Sequence, residues 1–177
     1  MTPRRMIHWN RLDSPKHWVT FLVATFLGSG ASKIAPGTMG SLAALPFIFW
    51  MEPLSFFIKG IIGVALFFFG TIATKQFDEL METRDSSHIV IDEVLGMGIT
   101  LWISGGYVEN YFFGFIFFRT LDILKPFPIS IFDKFSHENP SPWLRALGVM
   151  IDDVIAGFLA LGLLMILQYY SLLPSPA

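Results

Sequence analysis

The stretch Asp85-Ser-Ser-His-Ile-Val-Ile-Asp-Glu-Val-Leu-Gly96 sets three acids, Asp85, Asp92 and Glu93, directly before an apolar run over residues 94–103. Read as a helix, it puts Asp85 and Asp92 seven residues apart, close to two turns and so on one face. His88 falls between them on that face, and Glu93 points roughly 80° away. Acids at the mouth of an apolar helix are costly unless paired, hydrated or metal-bound. The plainer alternative is a solvated helix start, where acids favour the positive end of the helix dipole. The rest of the chain decides between the two.

The 177 residues suit one domain. A hydrophobic content of 53%, 19 Phe and a mean hydropathy of +0.58 exceed what a soluble domain of this size carries. The Phe cluster in runs such as Phe67-Phe68-Phe69 and Phe112-Phe113, so a membrane protein is expected. The net charge of −2 points to no nucleic-acid partner. The absence of cysteine excludes disulfides, thiolate metal sites and cysteine-based phosphatase or protease chemistry. The polar N-terminus lacks the apolar core of a cleavable signal peptide.

Taken in order, residues 1–17 form a basic arm with Arg4, Arg5, Arg11 and Lys16. Residues 18–170 make a single helical domain, and 171–177 a polar tail. Residues 18–27 are apolar but too short to span a bilayer. Residues 28–40 are a glycine-rich loop. A short helix over 41–51 ends at Glu52-Pro53. Residues 54–73 have about the length of one span, and 75–84 are charged and helical in pattern. The apolar pieces 94–103 and 107–118 flank the turn Ser104-Gly-Gly106. Residues 119–145 are polar and proline-rich, and a last helix starts at Gly148.

The charges are unevenly placed. Of the 12 Lys and Arg, only Lys59 falls outside segments 1–40, 75–93 and 119–153, and of the 14 Asp and Glu only Glu52 and Glu109 do. Five alternating crossings, at 41–53, 54–74, 94–104, 107–118 and 154–170, would put those three segments on one side. The positive-inside rule makes that side cytoplasmic. The expected architecture is an all-α, multi-pass membrane bundle with short or broken helices and one polar face.

Four polar segments converge on that face. In the 28–40 loop, glycines free backbone N–H groups to approach an anion, and Ser29, Ser32, Lys33 and Thr38 add donors. It is not a Walker A loop, and an ordinary helix-breaking turn is the alternative. The opening stretch is the second. In Arg119-Thr-Leu-Asp-Ile-Leu-Lys-Pro126, Arg119, Asp122 and Lys125 follow at intervals of three. They read as a cationic clamp for phosphate beside a carboxylate, or as an intrahelical pair with a snorkelling Lys. In Met150-Ile-Asp-Asp153, two adjacent carboxylates repel unless a cation lies beside them. All-oxygen ligands indicate a hard cation, Mg²⁺ first. His8, His17 and His137 have no metal-ligand spacing, and His88 reads as a hydrogen-bond partner.

The motifs Gly28-Ser-Gly30, Pro36-Gly-Thr-Met-Gly-Ser41, Ile89-Val-Ile-Asp-Glu93 with Gly96, Arg119 to Pro126, and Met150-Ile-Asp-Asp153 with Ala156-Gly157 resemble the phosphatidylglycerophosphatase A family. The likeness runs from about residue 20 to 160, in order and register. The pattern departs at His88, where a small residue is usual, and at residues 143–148, where only Gly148 remains of a Gly-Gly pair.

The resemblance implies a Mg²⁺-dependent, all-helical membrane phosphatase, a phosphoric monoester hydrolase of phospholipid synthesis. It would convert phosphatidylglycerophosphate to phosphatidylglycerol at the cytoplasmic face of the bacterial inner membrane. The family's acids fall on Asp85, Asp92, Glu93, Asp122, Asp152 and Asp153, with Arg119 and Lys125 as basic partners. On this reading Asp92, Glu93, Asp152 and Asp153 form the core of the Mg²⁺ site, with Asp85 and Asp122 beside it. Arg119, Lys125, Ser29, Lys33 and Thr38 hold the phosphate. The competing class is a small ion- or proton-coupled transporter, but its acids would lie near mid-bilayer with access from both sides. Here they cluster at span ends.

Overall fold

The structure, a computed structural model, describes residues 7–84 and 86–176. Arg4, Arg5 and Asp85 therefore lie outside the described residues. Among the described residues the chain is all-α: α1 Pro15–Ala24, α2 Pro36–Trp50, α3 Phe56–Met81, α4 Ile91–Thr100, α5 Val108–Leu124, α6 Ile129–Glu138 and α7 Pro142–Tyr169. Short 3₁₀ turns occupy Trp9–Arg11 and Ser29–Ala31. α7 packs against α3, α4, α5 and α6, and α4 packs against α2, α3, α5 and α7. These two helices are the hubs of the bundle.

Helix boundaries follow local chemistry and shift several sequence-based expectations. α2 begins at Pro36, so the last part of the glycine-rich segment is the first turn of a helix. Proline suits that position because its missing N–H is one that a helix start leaves unpaired anyway. The charged segment 75–84 is not a separate helix. Nothing breaks the chain after Ala73, and α3 runs on to Met81, with Lys75 and Glu79 paired at 2.8 Å one turn apart. α7 starts at Pro142, not at Gly148.

The basic arm is anchored from Arg11 onward. Arg11 donates to the Leu80 carbonyl at 2.9 Å and pairs with Glu82 at 2.8 Å. The tail packs too: Leu173 is buried, and the Pro174 carbonyl accepts from Asn110 and Gln168.

Among the described residues two helices, α3 and α7, are long and apolar enough to cross a membrane. α3 turns large apolar side chains outward along its length, among them Phe57 at 75% and Phe69 at 66% exposure. Water does not tolerate such a surface on a soluble monomer, whereas a bilayer covers it without cost. The expected five crossings are therefore revised. α4, counted there as one, has ten residues, about 15 Å by its rise, and eight of them are buried inside the bundle. It is a core helix.

The far end of the bundle carries its own polar cluster. Glu52 pairs with Lys59 at 2.8 Å and accepts hydrogen bonds from Ser104 and, at 3.1 Å, from Tyr111. This ties the α2–α3 turn to the ends of α4 and α5.

The central contact is the crossing of α4 and α7. A Cβ on Gly157 would stand 2.6 Å from the Gly96 carbonyl oxygen, and one on Gly96 would lie 2.8 Å from the Asp153 carbonyl and overlap the Phe118 ring. Only glycine permits this approach. Gly157→Ala is expected to cost about 1–3 kcal/mol by overpacking. Gly162→Ala, on the same helix but with nothing within 4 Å of the added carbon, should be neutral or stabilise by up to about 1 kcal/mol. Unfolding in mild detergent distinguishes the two, and equal effects would remove the crossing as the constraint.

Candidate active site

The α4–α7 crossing carries acids with it. Asp92 lies one turn before Gly96, and Asp153 one turn before Gly157. Glu93 adjoins Asp92 in the first turn of α4. One oxygen from each of Asp92, Glu93 and Asp153 falls within 4.8 Å of the others. Asp92 Oδ1 and Glu93 Oε2 are buried with no hydrogen-bond partner in the protein. Buried carboxylate oxygens aimed at one another without donors are the arrangement a cation satisfies, so these three residues could hold a metal ion.

Basic groups flank the three acids. From the last turns of α5, Arg119 donates to Asp122 at 2.6 Å and stands 3.8 Å from Glu93 Oε1. Lys125, just past α5, bridges Asp133 of α6 and Asp152 of α7, the latter at 2.6 Å. Consecutive helical residues point about 100° apart, so Asp152 turns to Lys125 while its neighbour Asp153 turns to Asp92 and Glu93. All these residues line one pocket of about 280 Å³ with Pro36 and Gly37 at the start of α2. A Cβ on Gly37 would overlap Glu93 Oε1, so glycine there lets the α2 terminus close over the acids.

Burial first, and then the neighbouring Glu93 carboxylate, push Asp92 well above the usual carboxylate range. Burial, aided by Asp153 and Asp122, raises Glu93 to about 8. Burial alone would lower the Lys125 ammonium, but Asp152 and Asp133 outweigh it and hold Lys125 above its ordinary value.

The opening stretch folds differently from its helical reading. Residues 86–90 are not helical: Ile89 N–H donates to the Ser86 carbonyl at 3.0 Å, and Val90 N–H to the Ala24 carbonyl at 2.9 Å. The chain is held there by α1 and by Asp78, which accepts from Thr83 and from the Ser86 N–H at 2.7 and 3.1 Å. Helix begins only at Ile91, so Asp92 and Glu93 lie in the first turn of α4, and both carboxylates line the same pocket. His88 Nδ1 lies 2.8 Å from the Gly30 carbonyl, which makes it a hydrogen-bond partner of the glycine loop.

The pocket thus brings together Asp92, Glu93, Arg119, Asp122, Lys125, Asp152 and Asp153. Asp152 stands apart from the three-carboxylate cluster, beside Lys125. Ser29, Lys33 and Thr38 are not among the lining residues, and the Ser29 hydroxyl donates to the Thr25 carbonyl at 3.1 Å. The loop reaches the pocket instead through Pro36 and Gly37. Asp133, Ser86 and Ser136 were not singled out from sequence. Asp133 sits in an amphipathic segment with no motif around it, and only folding shows it facing Lys125.

The family described as Phosphatidylglycerophosphatase A matches residues 22–168. The chain belongs to that family. It is 34% identical over 169 residues to the phosphatidylglycerophosphatase A of Escherichia coli (strain K12), covering 90% of this chain and 87% of the relative. It is 35% identical over 153 residues to that of Haemophilus influenzae, covering 85% and 90%. A relative from Bacteroides thetaiotaomicron, provisionally named a phosphatidylinositol-3-phosphatase, is 32% identical over 143 residues, covering 77% and 85%. No solved structure matches the chain.

The raised acids carry a pH signature. Asp92 and Glu93 hold protons more tightly in the folded than in the unfolded chain. For Glu93 that stabilisation is complete below 4.5, the unfolded value, and is lost as pH rises through about 8. Chelator-treated protein should therefore unfold at a lower temperature as pH is raised across that window. A flat or rising profile would contradict the burial of these acids.

Proposed function

We propose that this chain is a Mg²⁺-assisted phosphatidylglycerophosphatase, which hydrolyses the terminal phosphate monoester of phosphatidylglycerophosphate to phosphatidylglycerol in phospholipid synthesis. The observation that carries the proposal is the convergence of Asp92, Glu93 and Asp153 inside a pocket rimmed by Arg119 and Lys125, in a chain of that family. Among the described residues the pocket has six carboxylates against two cationic side chains. A phosphate dianion would be repelled from it unless further positive charge came too. Oxygen-only ligands favour a hard cation.

Asp92, Glu93 and Asp153 would hold the ion. When bound, Mg²⁺ would supply positive charge to the phosphate oxygens and acidify a bound water. Arg119, oriented by Asp122 and Glu93, offers a planar guanidinium for two phosphate oxygens. Lys125, fixed between Asp133 and Asp152, adds a point charge. The opening turn of α2 contributes backbone N–H groups and the positive end of its dipole. In the reaction water adds to phosphorus, the bond to the glycerol oxygen breaks, and inorganic phosphate and phosphatidylglycerol leave.

The proposed location is the bacterial cytoplasmic membrane, with the pocket on the cytoplasmic side. Among the described residues, every Lys and Arg but Lys59 lies in the pocket-side segments, and Lys59 is paired with Glu52 at the far end. The partners are the phospholipid substrate and the membrane itself.

The test is phosphate release by purified protein in detergent, with Mg²⁺ and after chelation, using phosphatidylinositol 3-phosphate as comparator. Mg²⁺-dependent turnover of phosphatidylglycerophosphate is expected, with Asp92→Asn and Asp153→Asn each slowing it at least about 100-fold, about 3 kcal/mol in the barrier. Turnover indifferent to chelation would remove the metal. Variants within a few-fold of the parent would remove these two acids from the site.

A further inference from the structure

α3 and α7 do not close over α4, and an apolar trough runs between them. Its outer part, about 650 Å³, is walled by Phe56 and Val64 of α3 and by Phe158 and Met165 of α7, with Trp102 as its floor. Its inner part, about 270 Å³, shares Val64, Trp102 and Phe158 and continues to Leu95 and Val154. The shared walls make this one channel. Gly60 and Gly63 of α3 bring no side chain into it: a Cβ there would stand 3.6 and 3.8 Å from the Trp102 ring.

The inner end of the trough comes level with the acidic pocket along α4 and α7, although the two cavities share no lining residue. Val154 follows Asp153, and Leu95 lies one residue beyond Val94, the neighbour of Glu93. From Val154 to Met165 the α7 axis rises roughly 16 Å. That is about half of the roughly 30 Å hydrocarbon core, or one leaflet. The outward faces of Phe68 and Phe69 are open to any lipid, but the trough is recessed, one leaflet long and begins level with the carboxylates.

We propose that the trough seats one acyl chain of the phospholipid whose phosphate enters the pocket, and so sets chain-length preference. This rests on the lipid-phosphatase reading above. Filling the trough should penalise a long chain and spare a short one. Val64 is 59% exposed and does not line the acidic pocket, so Val64→Trp narrows the trough from its lipid-facing wall without loading the core. Gly60→Leu fills it from beneath.

The experiment compares dipalmitoyl and dihexanoyl phosphatidylglycerophosphate in mixed micelles. Val64→Trp is expected to lower kcat/KM at least about ten-fold for the dipalmitoyl substrate, mainly through KM, and to change the dihexanoyl value less than about two-fold. Equal losses on both substrates, or none on either, would overturn the proposal. A second measurement needs no variant. Phosphatidylglycerol with a photoreactive acyl chain should label 56–64 and 154–165 in the parent protein in preference to Phe68 and Phe69. Even labelling of all exposed faces would overturn it. If the parent releases no phosphate from either substrate, the phosphatase reading fails, while the labelling still decides whether the trough holds a chain.

Discussion

The approach of α4 to α7 at Gly96 and Gly157 is the contact on which the rest depends. Backbone meets backbone there, and Thr100 one turn further on donates to both the Gly96 and the Gly157 carbonyls, at 2.9 and 3.4 Å. With the axes fixed so closely, residues one turn above the crossing have no freedom to separate. Those residues are Asp92 and Asp153. Apolar packing and small-residue contact on one side of the crossing thus hold like charges together on the other. Left to themselves, the carboxylates would move apart or take up protons.

That cost is offset by the order of charges around the pocket. Asp152 and Asp153 are adjacent in sequence, yet the helix sends them to different partners, Asp152 to Lys125 and Asp153 to the acids of α4. Asp122 and Glu93 both approach the Nη1 of Arg119, at 2.6 and 3.8 Å. Each cation is therefore shared between carboxylates from different helices: Arg119 couples α5 to α4, and Lys125 couples the end of α5 to α6 and α7. These partly buried pairs count less as stabilisers than as constraints on geometry, because desolvation cancels much of their attraction. Their effect is to keep both basic groups facing one small volume.

Much of this was legible in the chain. The apolar composition announced a membrane protein, the charge map separated the Glu52–Lys59 end from the acidic end, and the spacing of Arg119, Asp122 and Lys125 put all three on one wall. What could not be read depended on contacts distant in sequence. The 86–90 segment has the pattern of a helix, but its backbone pairs with α1 and Asp78 instead. The glycines of 28–40 suggested an anion loop, and the part of it that reaches the pocket is the start of α2, where Gly37 lets the helix terminus close against Glu93. Asp133 has no local signal at all. Its significance comes from α6 folding back onto α7. The apolar run after Glu93 resembled a crossing because a buried core helix and a membrane helix share a composition, and only length separates them.

Length also explains how a membrane helix can carry paired aspartates. α7 has 28 residues, about 42 Å by its rise, against a hydrocarbon core of about 30 Å. The surplus lies at its N-terminal end, where α6 packs on it and Arg145 donates to the Asn139 and Pro140 carbonyls at 3.3 and 3.0 Å. The apolar stretch begins at Val154, immediately after the two acids. The pocket therefore falls at the boundary between the polar and the apolar part of α7, beside the first turn of α4. A substrate with a charged headgroup and apolar chains meets the protein at that boundary, so reaching Asp92, Glu93 and Asp153 does not require pulling its phosphate through lipid.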